Sequence, residues 1–320
     1  MAKKKLAVVA IGGNSLIKDE KHVSVEAQED ALRETARHLA DMIEAGWDLA
    51  IGHGNGPQVG FILRRSEIAA KAEGMHEVPL DVCGADSQGA IGYELQQALH
   101  NEFLRRGINK TAVTVITQVA VEKDDPALQK PSKPIGGLMS QEEAKRREKE
   151  MGWSIFEDAG RGWRRVVASP IPAKIMELDS VKVLLNSGMT VITVGGGGIP
   201  VLESGAGELT GTAAVIDKDF ASSLLAREIG ADLFLIATAV EQVALNFGKP
   251  DQRWLQKMTL SEAKKYLAEG THFAKGSMAP KIQAIVWFLE ANPNGSALIT
   301  NPENIGRALN GETGTWIVQG

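Results

Sequence analysis

Short apolar, β-branched runs alternate along this 320-residue chain with longer stretches whose apolar positions recur at helical spacing. The runs at residues 6–11, 49–53, 113–121, 190–194, 233–237, 297–300 and 315–318 predict strands. Helical spacing covers about residues 25–45, 57–73, 87–106, 173–187, 218–229, 261–268 and 278–291. Strands that alternate with helices predict an α/β fold: three layers, with a central, mainly parallel sheet between helices. In such sheets a ligand sits beyond the carboxyl ends of the strands. The loops leaving those ends are therefore the place to search for a site.

Three of these loops are rich in glycine. The first strand runs into Gly12-Gly13-Asn14, the second into Gly54-Asn55-Gly56-Pro57, and the one near residue 190 into Gly195-Gly196-Gly197-Gly198. Glycine lets backbone N–H groups approach an anion with no Cβ in the way. An ordinary strand-to-helix turn explains any one cluster equally well. The three together favour an anion or nucleotide site. Residues 122–170 interrupt the alternation with charge, proline and glycine, including Lys130-Pro131-Ser132-Lys133-Pro134 and a charged helix near 141–150. This stretch predicts a protruding subdomain.

Composition narrows the functional classes. With 43% hydrophobic and 23% charged residues the chain is an ordinary globular one, and its net charge of -5 offers no nucleic-acid or anionic-membrane surface. The lone Cys83 rules out an internal disulfide, and no paired Cys/His spacing suggests zinc. No run reaches membrane-spanning length, so a cytoplasmic enzyme is expected. G-x-x-x-x-G-K-[ST], H-E-x-x-H and G-x-S-x-G are all missing, and no G-x-G-x-x-G follows a strand. His53 is the one histidine near a candidate loop, and a structural role suits it better than catalysis.

Two lysines stand where helix electrostatics disfavours them. Asp217 is a candidate N-cap for a helix that begins with Lys218 and Asp219. Ser277 and Pro280 suit another helix start, beside Lys281. A cation at the positive end of a helix is unfavourable unless an anion lies opposite, and phosphate is such an anion. Most lysines are merely solvated, but these two accompany the glycine loops. Phosphoryl transfer needs little beyond positioned positive charge. Asp219 is placed either to hold the lysines in register or to help position a metal.

The chain resembles, nearly end to end, the carbamate kinases of the amino-acid-kinase superfamily. The resemblance is carried by the loops above together with Lys133-Pro134-Ile135-Gly136, Asp158-Ala159-Gly160-Arg161-Gly162-Trp163-Arg164, Asp217-Lys218-Asp219-Phe220-Ala221-Ser222, Asn246-Phe247-Gly248-Lys249-Pro250 and Gly276-Ser277-Met278 with Pro280-Lys281. It implies reversible phosphoryl transfer between ATP and carbamate, giving ADP and carbamoyl phosphate. It also implies Mg²⁺, a homodimer and a place in arginine catabolism. One domain is implied, with a carbamate lobe at about 1–190, including the subdomain at 122–170, and a nucleotide lobe at 191–320. Lys133, Lys218, Asp219 and Lys281 would be catalytic. Gly12, Gly13, Asn14, Gly54, Asn55, Gly56, Gly195, Gly196 and Gly197 would bind substrate and phosphate. Lys218, Phe247 and Lys281 would meet the nucleotide, and no residue is assigned as a metal ligand.

Other members of the superfamily carry a lysine where this chain has Ala10, and the resemblance gives Lys133 that missing charge. Pro131, Pro134 and Gly136-Gly137 let its segment move as a unit, so it is free to stand away from the other lysines. Ala279 and Gly84-Ala85-Asp86-Ser87 depart from the family strings without removing a charge. Two alternatives stay open: another acyl-phosphate-forming kinase of the superfamily, and a non-catalytic nucleotide-binding regulator on the same fold.

Overall fold

The first strand, β1 (Lys5–Ile11), is buried on both faces. Val8 and Ala10 enter one apolar core, while Ala7, Val9 and Ile11 enter another. Side chains alternate across a strand, so a strand between two helical layers reads as an unbroken apolar run. The computed structural model describes residues 5–12, 24–158 and 162–320.

The chain continues through α1 (Val25–Glu44), β2 (Trp47–His53), α2 (Gln58–Glu73), α3 (Leu80–Arg106), β3 (Ala112–Thr114) and β4 (Gln118–Val121). Next come β5 (Lys133–Met139), α4 (Gln141–Met151), β6 (Ser154–Glu157), β7 (Trp163–Val167), β8 (Pro172–Ile175), α5 (Leu178–Asn186), β9 (Thr190–Ile192), β10 (Ile199–Glu203) and β11 (Leu209–Gly211). The remainder is α6 (Lys218–Glu228), β12 (Leu233–Ala237), β13 (Val243–Leu245), β14 (Arg253–Leu255), β15 (Lys257–Thr259), α7 (Leu260–Glu269), α8 (Met278–Ala291), β16 (Ser296–Thr300), α9 (Ile305–Leu309) and β17 (Thr315–Val318).

Among the described residues the central sheet has eight strands in the order β15-β17-β16-β12-β1-β2-β9-β3. From β16 to β3 every neighbouring pair is parallel, and β17 runs antiparallel to β16. Helices α1, α3 and α9 supply one core, and α5, α6, α7 and α8 the other. The fold is thus a three-layer α/β/α sandwich. Chain order moves outward from β1 to β2 on one side and from β12 to β16 on the other. The switch between these directions leaves a crevice at the carboxyl ends of β1 and β12. No described helix is long and apolar enough to cross a membrane.

Three expected elements are redrawn. The strand expected over residues 113–121 is two strands in two sheets, because Thr117 turns the chain. Its N–H donates to Gln88 Oε1 at 2.8 Å, and its carbonyl accepts from Gln88 Nε2 at 3.0 Å. The helix expected over 173–187 begins only at Leu178. Before it, β8 pairs antiparallel with β4. Pro170 and Pro172 carry no N–H and disfavour helix in the residues preceding them. Helix α3 starts at Leu80 rather than near 87, since Gly84 and Gly89 dilute an apolar face that includes buried Leu80 and Cys83.

Residues 133–167 build a separate three-stranded sheet, β5-β7-β6, beside α4. It leans on α2. Glu67 of α2 pairs with Arg147 of α4 at 3.1 Å, and the guanidinium groups of Arg147 and Arg165 each lie 4.6 Å from the Trp153 ring.

Candidate active site

Helix α6 begins in a buried place with an unusual first turn. Asp217 caps it, its Oδ1 accepting from the Asp219 N–H at 2.9 Å. That cap directs the side chains of Lys218 and Asp219 inward. Asp219 is only 3% exposed, and both its oxygens are occupied. Lys218 Nζ donates to Oδ1 at 2.5 Å, and Lys281 Nζ, from the first turn of α8, donates to Oδ2 at 2.7 Å. One carboxylate therefore holds two ammonium groups from two helix starts.

The electrostatics follow from this arrangement. Burial on its own would raise the Asp219 pKa. Lys218 and Lys281 outweigh it and hold the carboxyl well below the usual carboxylate range. The Lys218 ammonium is pushed down by burial and by Lys281, and Asp219 opposes that fall. No side chain among the described residues caps α8, and Ser277, at the cap position, makes no side-chain bond there. The Ala279 N–H of its first turn donates instead to the Ala274 carbonyl at 3.1 Å, and Pro280 has no N–H to offer.

Lys133, at the start of β5, reaches the same place from the separate sheet. Its Nζ donates to Asp217 Oδ2 at 3.1 Å and to the Ile216 carbonyl at 3.3 Å. The segment foreseen as free to stand away is docked here. Ala10 is fully buried in the core beneath, so the first strand offers no cation at that position.

The glycine loops meet at this edge. The Gly54 N–H donates to the Ile11 carbonyl at 3.1 Å, and Gly54 lies against the Lys218 stem. Asn55 Nδ2 donates to the Gly196 carbonyl at 3.4 Å, and Asn55 Oδ1 accepts from Ser87 Oγ at 2.8 Å. Gly196 has φ 66°, and a Cβ there would fall 1.9 Å from Asn55 Oδ1. Only glycine suits both the backbone and the space. Just before it, buried Val194 takes φ 46°, a costly conformation for a β-branched residue. Gly12 packs against the Ala237 carbonyl, whereas Gly13 and Asn14 lie outside the described residues.

Gly54, Asn55 and Gly196 join Lys133, Asp217, Lys218, Asp219 and Lys281 in lining a cleft of about 400 Å³ that also includes Gly56, Gly60, Gly136 and Arg164. Four cations, Lys133, Lys218, Lys281 and Arg164, face two carboxylates, Asp217 and Asp219. The cleft is thus cationic within a chain of net charge -5. His53 is buried, with Nδ1 2.8 Å from the Gly54 carbonyl, and burial lowers its pKa to about 4. It is neutral and turned into the protein. Burial and nearby Asp86 push the Cys83 thiol up to about 11, so it is no ready nucleophile. Phe247 lies away from the cleft on the β13–β14 hairpin, 68% exposed and 6.1 Å from the Trp254 ring.

Such a cleft is built to hold a polyanion, and comparison with known proteins places it. The amino acid kinase family matches over residues 5–301. The chain belongs to the amino acid kinase family. Within this family it is 49% identical to the carbamate kinase of Clostridium perfringens, covering 98% of this chain and 99% of that protein. It is also 49% identical to the carbamate kinase-like protein YahI of Escherichia coli, covering 99% of each. The carbamate kinase of Giardia lamblia bound to AMP-PNP superposes with a TM-score of 0.91 at 38% identity, over the full length of both chains.

Sequence reasoning missed three parts of this amino acid kinase cleft. Asp217 was legible as a cap, not as the anchor of Lys133. Arg164 was one letter in a long string, yet it lines the cleft and donates to the Gly136 carbonyl at 2.9 Å. Gln88 braces the third glycine loop by donating to the Gly195 carbonyl at 2.9 Å. An unpaired glutamine inside an amphipathic helix was the only available signal.

Proposed function

We propose that this chain catalyses reversible phosphoryl transfer between ATP and carbamate, giving ADP and carbamoyl phosphate. The observation that carries the reading is Asp219, which holds Lys218 and Lys281 side by side at one end of the cationic cleft. The carbamate kinases among its full-length relatives support the choice of acceptor.

In the forward direction a carbamate oxygen attacks the γ-phosphorus. The bond from that phosphorus to the β–γ bridging oxygen breaks, and ADP leaves with its electron pair. Carbamate is already an anion, so no general base is required, in keeping with a buried, neutral His53. Lys218 and Lys281 hold the phosphates, and Asp219 keeps the two ammonium groups fixed before the reaction begins. Lys133 exchanges Asp217 for the transferring group, taking the part of the lysine absent at Ala10. Gly12, Gly13, Asn14, Asn55, Gly56, Gly195 and Gly196 would present amides to carbamate and phosphate. Gly54 and Gly197, whose N–H groups are taken by the Ile11 and Val194 carbonyls, would let the ligand approach with no Cβ in the way. Phe247 offers an exposed ring to the nucleotide base. Mg²⁺ would be held by the nucleotide phosphates and would supply charge neutralisation there, since both Asp219 oxygens are already taken by lysines.

Carbamate has no side chain to grip, and the loops that would hold it carry no arginine or acid to pair with an amino-acid substrate. Rapid ATP formation from carbamoyl phosphate, ADP and Mg²⁺ is therefore expected in a coupled assay. Acetyl phosphate should react slowly, since shape alone separates small isosteres weakly. Acetylglutamate, aspartate and UMP should not be phosphorylated. Phosphorylation of one of those three, with no activity on carbamoyl phosphate, would overturn the acceptor and leave the fold standing.

The same reading includes a homodimer. Exposed Val82, Tyr93 and Leu104 recur along α3 every eleven residues, or about three helical turns, and so share one outer face. Light scattering should give about twice the chain mass of 34.2 kDa. A monomer at micromolar concentration would contradict this.

A further inference from the structure

Gly60 stands in the first turn of α2, where helical propensity favours alanine. The space around it does not. A Cβ on Gly60 would fall 2.4 Å from the Gly136 Cα and 2.7 Å from the Gly136 N. Both are backbone atoms, so no rotamer change relieves the overlap. Gly136 lies in β5, three residues beyond Lys133, and has φ 69°. It is also held from the other side, since its carbonyl accepts from Arg164. Farther along α2, the Glu67–Arg147 pair fixes the same small sheet.

We propose that Gly60 is a positioning residue: its missing side chain sets how closely the three-stranded sheet docks on α2, and so where the Lys133 ammonium stands over Asp217. The inference rests on the proposed role of Lys133 in phosphoryl transfer. A methyl group at Gly60 pushes β5 outward by about 1 Å at the contact, with Glu67–Arg147 keeping the sheet attached. Lys133 is then tilted away from Asp217 rather than released. A shift of that size costs up to about a hundredfold in rate when it misplaces a charge-bearing group. ADP is affected little, because Lys218 and Lys281 are carried by α6 and α8 and not by the displaced sheet.

The test compares Gly60→Ala, Gly137→Ala and Lys133→Ala, singly and with Gly60→Ala and Lys133→Ala combined, in ATP formation from carbamoyl phosphate. Gly137 is the control, because a Cβ there meets nothing within 4 Å. Gly60→Ala is expected to lower kcat by about ten- to a hundredfold with KM for ADP unchanged, and Gly137→Ala to match the parent. Added to Lys133→Ala, Gly60→Ala should cost nothing more, since the group it positions is gone. Parental kcat in Gly60→Ala, or losses that multiply in the double variant, would overturn the proposal. Near-normal turnover in Lys133→Ala would instead sink the role of Lys133 itself. Circular dichroism confirms the fold of each variant. If Gly60→Ala does not fold, Glu67→Gln decides, because it loosens the same docking without adding volume. Lowered kcat with parental KM for ADP supports the proposal, and parental kcat refutes it.

Discussion

Lys218→Ala and Lys281→Ala are each expected to cut turnover about a hundredfold at saturating nucleotide, or about 3 kcal/mol of transition-state stabilisation. The fold should persist in both. Each lysine reaches Asp219 from a different helix, so either deletion leaves the carboxylate one ammonium partner. The buried ion pair is thinned rather than orphaned. In the proposed mechanism, what is lost is a charge fixed in advance for the transferring phosphoryl group. The side chains are 14% and 15% exposed, and at such burial a positioned charge acts through little water. Steady-state kinetics with ADP and carbamoyl phosphate measures the effect, and thermal unfolding reports the fold. Near-parental turnover in either variant would remove that lysine from the proposed site.

The parts of this molecule that were legible in the sequence share a physical cause. Strands β1, β2 and β12 are buried on both faces, so their apolar runs stand out against any turn. Lys218 and Lys281 stood out because a cation is misplaced at a helix start, and misplacement carries information. Short strands carry none. β11, β13 and β14 are three residues each, too few to show a period of two, and their pairing depends on chain elsewhere. The break at Thr117 was hidden for the same reason, since it depends on the Gln88 side chain of α3. Gly60 gives the clearest case. Read locally it is a poor residue in a helix, and its reason lies 76 positions along the chain at Gly136. Lys133 and Asp217, 84 positions apart, form a pair that no local spacing could reveal.

Asp219→Asn is expected to do more damage than losing either lysine. The change keeps the side-chain shape and removes the one negative charge that both ammonium groups address. Two buried cations then face each other with Asp217 as the remaining counter-charge in the cleft. Breaking a buried pair from one side costs about 3–5 kcal/mol of stability. Turnover should fall by roughly a thousandfold, because the lysines splay or one loses its proton, and the phosphoryl site needs both. The pH dependence gives the sign of each part. In the parent, Asp219 has its pKa depressed in the fold, so its contribution is present above the ordinary carboxylate range near about pH 4 and drains as the pH falls below it. The Asn variant lacks that contribution, and its stability should vary less in acid. On the alkaline side the order reverses. Burial and Lys281 already lower the Lys218 pKa, and without Asp219 nothing opposes them from that position. The unfolded chain then binds more protons than the folded one up to the ordinary lysine value of about 10.4, so the variant gains stability as the pH rises from neutral towards it. Urea unfolding at pH 7 and pH 9 should show the gap between variant and parent narrowing at the higher pH. A gap that stays constant, or turnover within tenfold of the parent, would mean that Asp219 does not organise the two lysines.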